Sequence, residues 1–169
     1  MKHLKKIAVA LVLFVAASSF VNAQSKVAHI DVQKLLSDMP AMKAAESELK
    51  KLSETYQADI QASMTELQNK YTLYKNEAGA KSEEENQKRA LELQGFEKNI
   101  GEAQQAAQQE IQKKQAELFG PISEEAKKAI EKVAAAQGFD YVLDSQPGSA
   151  AIVTKGKDLL ADVKQELGF

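Results

Sequence analysis

The chain has 169 residues, no cysteine and a formal net charge of −2. Without the first 23 residues, which hold three of its 22 basic side chains, 19 basic residues face 24 acidic ones and the net charge is −5. The acidic balance disfavours nucleic acid as a partner, and the absence of cysteine excludes disulfides and cysteine-ligated zinc sites.

The N-terminus has the order of a secretory signal peptide. Residues 1–6 are basic, residues 7–21 are uncharged and mostly apolar, and Val21 and Ala23 have suitable side chains for the −3 and −1 positions of a cleavage site. An apolar segment of about 15 residues is shorter than the ~20 that a spanning helix needs, which disfavours the alternative of an uncleaved anchor. We therefore predict a signal peptide at 1–23 and a periplasmic product.

Residues 24–40 predict the start of a small body. Lys26 to Asp31 is a short β-type run, and residues 32–37 have the composition of a helical turn. Pro40 marks a boundary because proline fits only the first turn of a helix. Ser37 or Asp38 is expected to cap the helix that follows.

Residues 41–119 predict a long helical hairpin. From 41 to 78 there is no proline or glycine, and apolar residues recur at steps of three and four in one narrow stripe. Such a helix would measure roughly 55 Å. A glycine-containing break follows, a capping box at Ser82–Glu85 opens a second helix, and a second apolar stripe continues along it. The tip is expected near 78–82, with antiparallel helices on either side.

Residues 120–169 predict the rest of the body. Gly120-Pro121 is expected to kink the helix or restart it, and Gly138 to end it. Residues 139–144 alternate like a strand, a turn follows, and Ala150–Thr154 is predicted as another strand. Lys157–Leu167 is expected to form a short amphipathic helix.

The predicted fold class is mostly α with a small β part (α+β): a long antiparallel coiled-coil hairpin projects from a small β-sheet body. Each hairpin stripe has about two apolar residues per seven, which is typical of a coiled-coil seam. The body has a small core and sheet edges to protect. Both features predict a homo-oligomer with cyclic symmetry, although the residues alone do not set the number of subunits.

The sequence shows no arrangement of catalytic residues. His29 is the only histidine after residue 23, and an ordinary sheet position is its simplest interpretation. There is no glycine-rich phosphate loop and no nucleophile elbow, and the many carboxylates alternate with lysines on faces expected to be solvated. We therefore predict a protein that is not an enzyme and binds no cofactor or metal. An enzyme would need a site made of carboxylates that no motif marks.

Several segments together resemble the Skp/OmpH family of periplasmic chaperones. They are the signal peptide, Lys26-Val27-Ala28-His29-Ile30-Asp31, the charged hairpin, Pro121-Ile122 through Val133-Ala134 to Gly138-Phe139-Asp140-Tyr141-Val142-Leu143-Asp144, and Lys157 to Lys164. The likeness covers the whole chain after the signal peptide. The terminal segments are its most specific part, because coiled coils resemble one another.

The resemblance implies a homotrimer whose strands join in a central body and whose three hairpins surround a cavity. It also implies ATP-independent holding of unfolded outer-membrane β-barrel proteins, here called clients, on their way to the outer membrane. Many weak contacts would shield the clients' apolar segments and suppress aggregation without fuel. The alternative is a coiled-coil adaptor or structural protein of the envelope, whose hairpin docks to one folded partner.

One departure from the family concerns charge. The best-known members are basic whereas this chain is acidic, so apolar contacts with clients are expected to outweigh electrostatic capture. By resemblance, Lys113 and Lys114 stand in the place of a basic pair in the family's proposed lipopolysaccharide site. A solvated helix face is the simpler interpretation of these lysines. The charge does not indicate contact with a membrane surface.

Two sets of residues are candidates for binding. Met and Tyr suit adaptable recognition. The candidate client-binding residues are Tyr56, Ile60, Met64, Tyr71, Tyr74, Leu91 and Phe96. The alternative is that most of them close the seam between the two helices. The candidate residues for subunit contacts are Val27, Ile30, Val142, Leu143, Ile152 and Val153, with an ordinary monomer core as their alternative.

Overall fold

The computed structural model describes residues 25–169, so the predicted signal peptide lies outside the described residues. In chain order the elements are β1 (Val27–Ile30), α1 (Val32–Asp38), α2 (Pro40–Glu77), a 3₁₀ turn (Ala78–Ala80), α3 (Glu83–Gln137), β2 (Tyr141–Asp144), β3 (Lys157–Asp158) and α4 (Leu160–Leu167). Helix dominates and the strands are short. The predicted α+β class, with a long hairpin on a small sheet, is confirmed.

The sheet has the order β2-β1-β3, and both neighbours run parallel to β1. Val27 lies beside Tyr141 and Ile30 beside Asp144 in the register of β1 and β2. Parallel neighbours need a long crossover between them, and here that crossover contains the whole hairpin. The sheet therefore joins the two ends of the hairpin.

The predicted strand at Ala150–Thr154 is wrong. That segment has no regular structure, and Ile152 and Val153 are 95% and 72% exposed. The third strand is Lys157–Asp158 instead, directly after Gly156, where a Cβ would lie only 3.3 Å from the Val27 carbonyl oxygen. Glycine thus lets the chain approach the edge of β1 at that point, and pairing with β1 decides where the strand forms.

The final helix starts later than predicted, because residues 157 and 158 belong to the sheet. It begins at Leu160, whose backbone N–H donates to Asp158 Oδ1 at 2.9 Å. The helix then packs Val163 into the core, and the Lys164 ammonium donates to Asp38 Oδ2 at 2.6 Å. That contact connects the C-terminal helix to the end of α1.

The two long helices form the hairpin. α2 has 38 residues and α3 has 55, which correspond to about 57 Å and 82 Å of helix. Lys70 pairs with Glu92 close to the turn, and Glu48 pairs with Lys114 farther from it, so the helices run antiparallel. Ser82 caps the start of α3 as predicted, since its hydroxyl oxygen accepts a hydrogen bond from the Glu85 N–H at 3.2 Å.

Two expectations about helix ends are corrected. Pro40 does begin α2, but the cap residue is Met39, which makes no side-chain cap bond; Asp38 instead belongs to α1. Of the two outcomes predicted at Gly120-Pro121, a kink or a restart, the restart is wrong, because α3 is continuous through Pro121. Buried Ile122 and the partly buried Leu118 and Phe119 all pack on the body core, so packing on both sides of the proline holds the helix.

The main core lies in the body. Its largest fully buried side chains are Ile30, Leu35, Leu159 and Val163, and α3 adds a row of small residues that includes Ala126 and Val133. Gly138, with φ of 70°, ends α3 in the left-handed conformation that glycine adopts easily. The hairpin beyond the body has far less buried surface, as expected for a coiled-coil seam.

Candidate functional site

A polar clasp joins the two helices near the tip of the hairpin. Glu92 on α3 accepts hydrogen bonds from Lys70 Nζ and Tyr74 OH on α2, both at 2.8 Å. The Lys70 ammonium also lies 4.8 Å from the centre of the Phe96 ring, within range of a cation–π interaction. Tyr74 and Phe96, two candidate client-binding residues, thus lie within the contact between the helices.

Arg89 extends this clasp toward the turn. Its Nη2 donates to Glu77 Oε2 at 2.8 Å across the hairpin, its Nε lies 3.4 Å from Glu85 Oε1, and its guanidinium carbon lies 4.5 Å from the centre of the Tyr74 ring. Only 13% of its side chain is exposed. Nη1 is buried without a hydrogen-bond partner among the described protein atoms. The distal hairpin is thus held by charged and aromatic contacts.

The clasp changes the acidity of its members. The hydrogen bond from Lys70, then that from Tyr74, lowers the pKa of the Glu92 carboxyl below its ordinary value. The same carboxylate raises the pKa of Lys70 and of Tyr74, mainly through those hydrogen bonds. Glu92 is therefore held ionised and the other two protonated, which is the state that keeps the helices connected.

An apolar groove opens between the helices about halfway along the hairpin. It has a volume of about 410 Å³, and Tyr56 and Ile60 from α2 lie in its wall. Opposite them α3 presents Ile100 and several alanines, whose small side chains leave this space unfilled. Two further candidate client-binding residues thus line a groove that is open to solvent.

The other three candidates, Met64, Tyr71 and Leu91, are exposed on the hairpin surface. Leu91 is the most accessible of them, with 63% of its surface exposed. Leu73, which was not among the predicted client-binding residues, is half exposed as well. In the sequence, the signal that could have identified Leu73 is that it is a large apolar residue outside the helical stripe. These four apolar side chains are thus accessible to solvent at separate positions along the hairpin.

Lys113 and Lys114 differ in their surroundings. The Lys114 ammonium lies 2.8 Å from Glu48 Oε1 across the hairpin, and this hydrogen bond raises the pKa of the lysine. Lys113 is largely exposed, with Glu117 3.9 Å away on the same helix. Lys114 is thus paired across the hairpin, whereas Lys113 is open to solvent, and lipopolysaccharide contact at these lysines stays a prediction.

The body has an uncovered sheet face. Val27, Tyr141 and Leu143 are exposed on the same side of the β1–β2 pair, opposite the face that Ala28 and Ile30 bury on the helices. Among the predicted subunit contacts, Ile30 is therefore inside the monomer core and Val142 packs against that core. The others, Val27, Leu143, Ile152 and Val153, are accessible at the surface.

A second apolar groove, about 480 Å³ in volume, lies on the body between α1, α3 and β2. Its wall includes Val32, Leu36, Ile130 and Phe139, which also pack on the core. Within residues 25–169 no helix is long and apolar enough to cross a membrane, and no three His, Asp or Glu residues cluster as metal ligands. The described chain thus presents two apolar grooves and one apolar sheet face to solvent.

Comparison with known proteins agrees with this architecture. Two proteins named chaperone protein Skp, from Pectobacterium atrosepticum and Photorhabdus luminescens, are each 24% identical to this chain. The first alignment covers 95% of this chain and 96% of the relative, and the second covers 90% and 91%. A solved structure from Caulobacter crescentus CB15, described as an OmpH-like outer membrane chaperone, matches with a TM-score of 0.74 at 18% identity, over 86% of this chain and 85% of that one.

The match to a family model covers nearly all of the described residues. The model for outer membrane protein (OmpH-like) matches residues 26–167, from the start of the body through the hairpin to the last helix. The terminal segments that carried the resemblance lie inside this range. The chain therefore belongs to the OmpH-like family, the Skp/OmpH family that its sequence resembles.

Proposed function

We propose that this chain is a periplasmic chaperone that holds unfolded outer-membrane proteins without nucleotide and so prevents their aggregation. Family membership and the names of its relatives support a chaperone of outer-membrane proteins. The structural observations that carry the proposal are the large apolar side chains that stay accessible along the hairpin, among them Met64, Tyr71, Leu73 and Leu91, and the open groove beside Tyr56 and Ile60. Accessible apolar side chains spread along a polar rod suit many small contacts with an extended client chain.

The mechanism follows from simple mass action. A protein that binds the unfolded client shields its apolar segments and lowers the concentration of species that aggregate. The contacts are individually small, and Met64 is a flexible side chain that adapts to different partners. No chemical fuel is needed, because folding of the client into the membrane removes it from the binding equilibrium.

We also propose that the active form is a homotrimer assembled through the body. The exposed Val27, Tyr141 and Leu143 form an apolar face on a sheet of only three short strands. Burying this face between copies would stabilise a small body and leave the hairpins free to surround a client. Sedimentation equilibrium of the chain from residue 24 onward tests the subunit number, and a monomer would contradict this proposal.

The function is tested by light scattering. A urea-unfolded outer-membrane β-barrel protein is diluted into buffer with and without the chain from residue 24 onward, in the absence of nucleotide. We expect scattering to be suppressed near one chaperone oligomer per client, for several unrelated barrels. Unchanged scattering would contradict the proposal and favour an adaptor that binds one folded partner.

A further inference from the structure

The groove halfway along the hairpin differs from the rest of the seam. The side chains of Ser63, Ala103 and Ala107 are too small to fill the space beside Tyr56 and Ile100, and a volume of about 410 Å³ stays open. Elsewhere the helices are joined by the clasp near Glu92 and by the Lys114–Glu48 pair. The groove is thus an apolar opening between two polar connections.

The charges around the groove all have one sign. Residues 52–69 and 99–112 contain five acidic side chains and no lysine or arginine. The two charged residues that line the groove are Asp59 and Glu110, both exposed at its rim. Neither carboxylate lies within 4.0 Å of a basic nitrogen atom of the described chain. The site therefore combines an apolar floor with an acidic rim whose two carboxylates form no salt bridge within the described residues. Lys114, one helical turn beyond Glu110, interacts with Glu110 electrostatically but pairs with Glu48.

We propose that this groove binds segments of an unfolded client in which a large apolar side chain has lysine or arginine two positions away; this inference rests on the proposed function. In an extended chain, residues two apart point to the same side. The apolar side chain would fill the groove while the cation reaches Asp59 or Glu110. Lysine and arginine suit the rim because their aliphatic stems cover apolar surface while their charged ends stay hydrated.

Charge complementarity favours a basic client segment over a second copy of this chain. From residue 24 onward the chain has a net charge of −5, so another copy would bring more negative charge to an acidic rim. Opposite charges at a rim mainly raise the rate of encounter and select between partners, whereas the apolar contact supplies most of the affinity. The groove thus selects which apolar segments of a client are held.

Two synthetic peptides test the inference. Both are unstructured and carry one tryptophan; the first has lysine at the positions two residues before and after it, and the second has glutamate there. The chain itself contains no tryptophan, so the fluorescence of the peptide reports binding directly. For the chain from residue 24 onward at low salt, we expect the lysine peptide to bind roughly ten-fold more tightly than the glutamate peptide, with the difference shrinking at high salt.

Two double variants test whether the lysine peptide binds at the acidic rim of the groove. Asp59→Asn with Glu110→Gln should weaken the lysine peptide roughly three-fold or more and leave the glutamate peptide no weaker. The matched control is Glu54→Gln with Glu102→Gln, which removes the same charge from the same part of the hairpin but outside the groove. This control should bind the lysine peptide within about two-fold of the unmodified chain.

A second pair of variants tests the groove itself. Ala103→Leu fills the opening and should weaken both peptides, whereas Ala62→Leu adds the same bulk at an exposed position outside the groove and should not. Both exchanges keep good helix formers, so circular dichroism should show an unchanged helix content. If Ala103→Leu instead changes only the sedimentation of the chain alone, the groove is filled by a second copy and the inference is overturned.

The same proteins are run in the light-scattering test of the proposed function. If the unmodified chain suppresses client aggregation but the Asp59/Glu110 variant binds both peptides as its control does, the inference is wrong and the proposed function stands. If the unmodified chain fails to suppress aggregation, the proposed function fails and the inference fails with it. The inference is supported if the preference for the lysine peptide decreases only in the Asp59/Glu110 variant and if Ala103→Leu weakens both peptides.

Discussion

At the scale of single residues, Glu92 connects the two helices near the tip of the hairpin. Its two carboxylate oxygens accept from Lys70 and Tyr74, so one side chain of α3 is connected to two of α2. From the sequence, Tyr74 was a candidate client-binding residue with the helix seam as the alternative, because a tyrosine in a helical stripe carries no local sign of its cross-helix partner. Partners 18 and 22 residues apart along the chain become visible only once the helices are aligned.

The clasp predicts a pH dependence. The folded state lowers the pKa of Glu92, mainly through the hydrogen bond from Lys70. A carboxyl group with a lowered folded pKa stabilises the fold at pH values above its ordinary value, and that contribution is lost as pH falls through the lowered value. We expect amide-exchange protection beside the clasp to decrease below about pH 4, measured by NMR as protection factors.

Glu92→Gln tests the assignment of this effect. Near pH 7 we expect amide exchange at 70–77 and 89–96 to be roughly two- to five-fold faster than in the unmodified chain, because the ion pair with Lys70 is lost. The part of the pH dependence due to Glu92 should also disappear. Glu97→Gln, an exposed change on the same helix, is the control and should leave protection unchanged. Equal protection in Glu92→Gln and the control would refute the role of the clasp.

At the scale of elements, the sequence predicts structures that depend on local patterns, and it fails for those that depend on pairing with a distant segment. The two hairpin helices follow from apolar periodicity, from the absence of proline and glycine in 41–78, and from the Ser82 cap, all of which are local features. The strand predicted at Ala150–Thr154 was wrong because the third strand forms where the chain pairs with β1. Gly156 lets the chain approach the edge of β1, so the pairing begins after that glycine, at residues 157 and 158. The predicted restart of the helix at Pro121 was wrong because residues on both sides of the proline pack on the body core and keep α3 continuous.

The hairpin surface predicts a loss of function without a loss of structure. Met64, Tyr71 and Leu91 are exposed, so changing all three to serine should remove client contacts while the seam stays intact. We expect at least roughly three-fold more protein to be required for half suppression of client aggregation by light scattering. Helix content by circular dichroism should be nearly unchanged.

The matched control for this variant changes three exposed glutamines of the hairpin, Gln61, Gln68 and Gln87, to serine. It introduces the same residue at surface positions of the same two helices without removing apolar contacts. Suppression of aggregation should stay close to that of the unmodified chain. An equal loss of activity in both variants would show that serine in the helices, and not the apolar surface, caused the effect.

At the scale of the whole molecule, a small parallel sheet holds the two ends of a long hairpin, and its outer face is uncovered. The proposed trimer buries this face, so Tyr141→Asp with Leu143→Asp should convert the oligomer to monomers in sedimentation equilibrium, because charge would be buried at the contact. Ala161→Asp on the exposed side of α4 is the control and should remain oligomeric. Monomers in both proteins, or in neither, would contradict the role of this face.

The central claim is that the hairpin holds an unfolded client, and site-specific photo-crosslinking tests it most directly. A photoreactive residue replaces Met64 or Leu91 on the hairpin, or Ala161 on the body, and a barrel protein is added either unfolded from urea or already folded in detergent. The account predicts crosslinks from both hairpin positions to the unfolded barrel, with little crosslinking from Ala161 or to the folded barrel. Crosslinks confined to Ala161, or equally strong to the folded barrel, would contradict it.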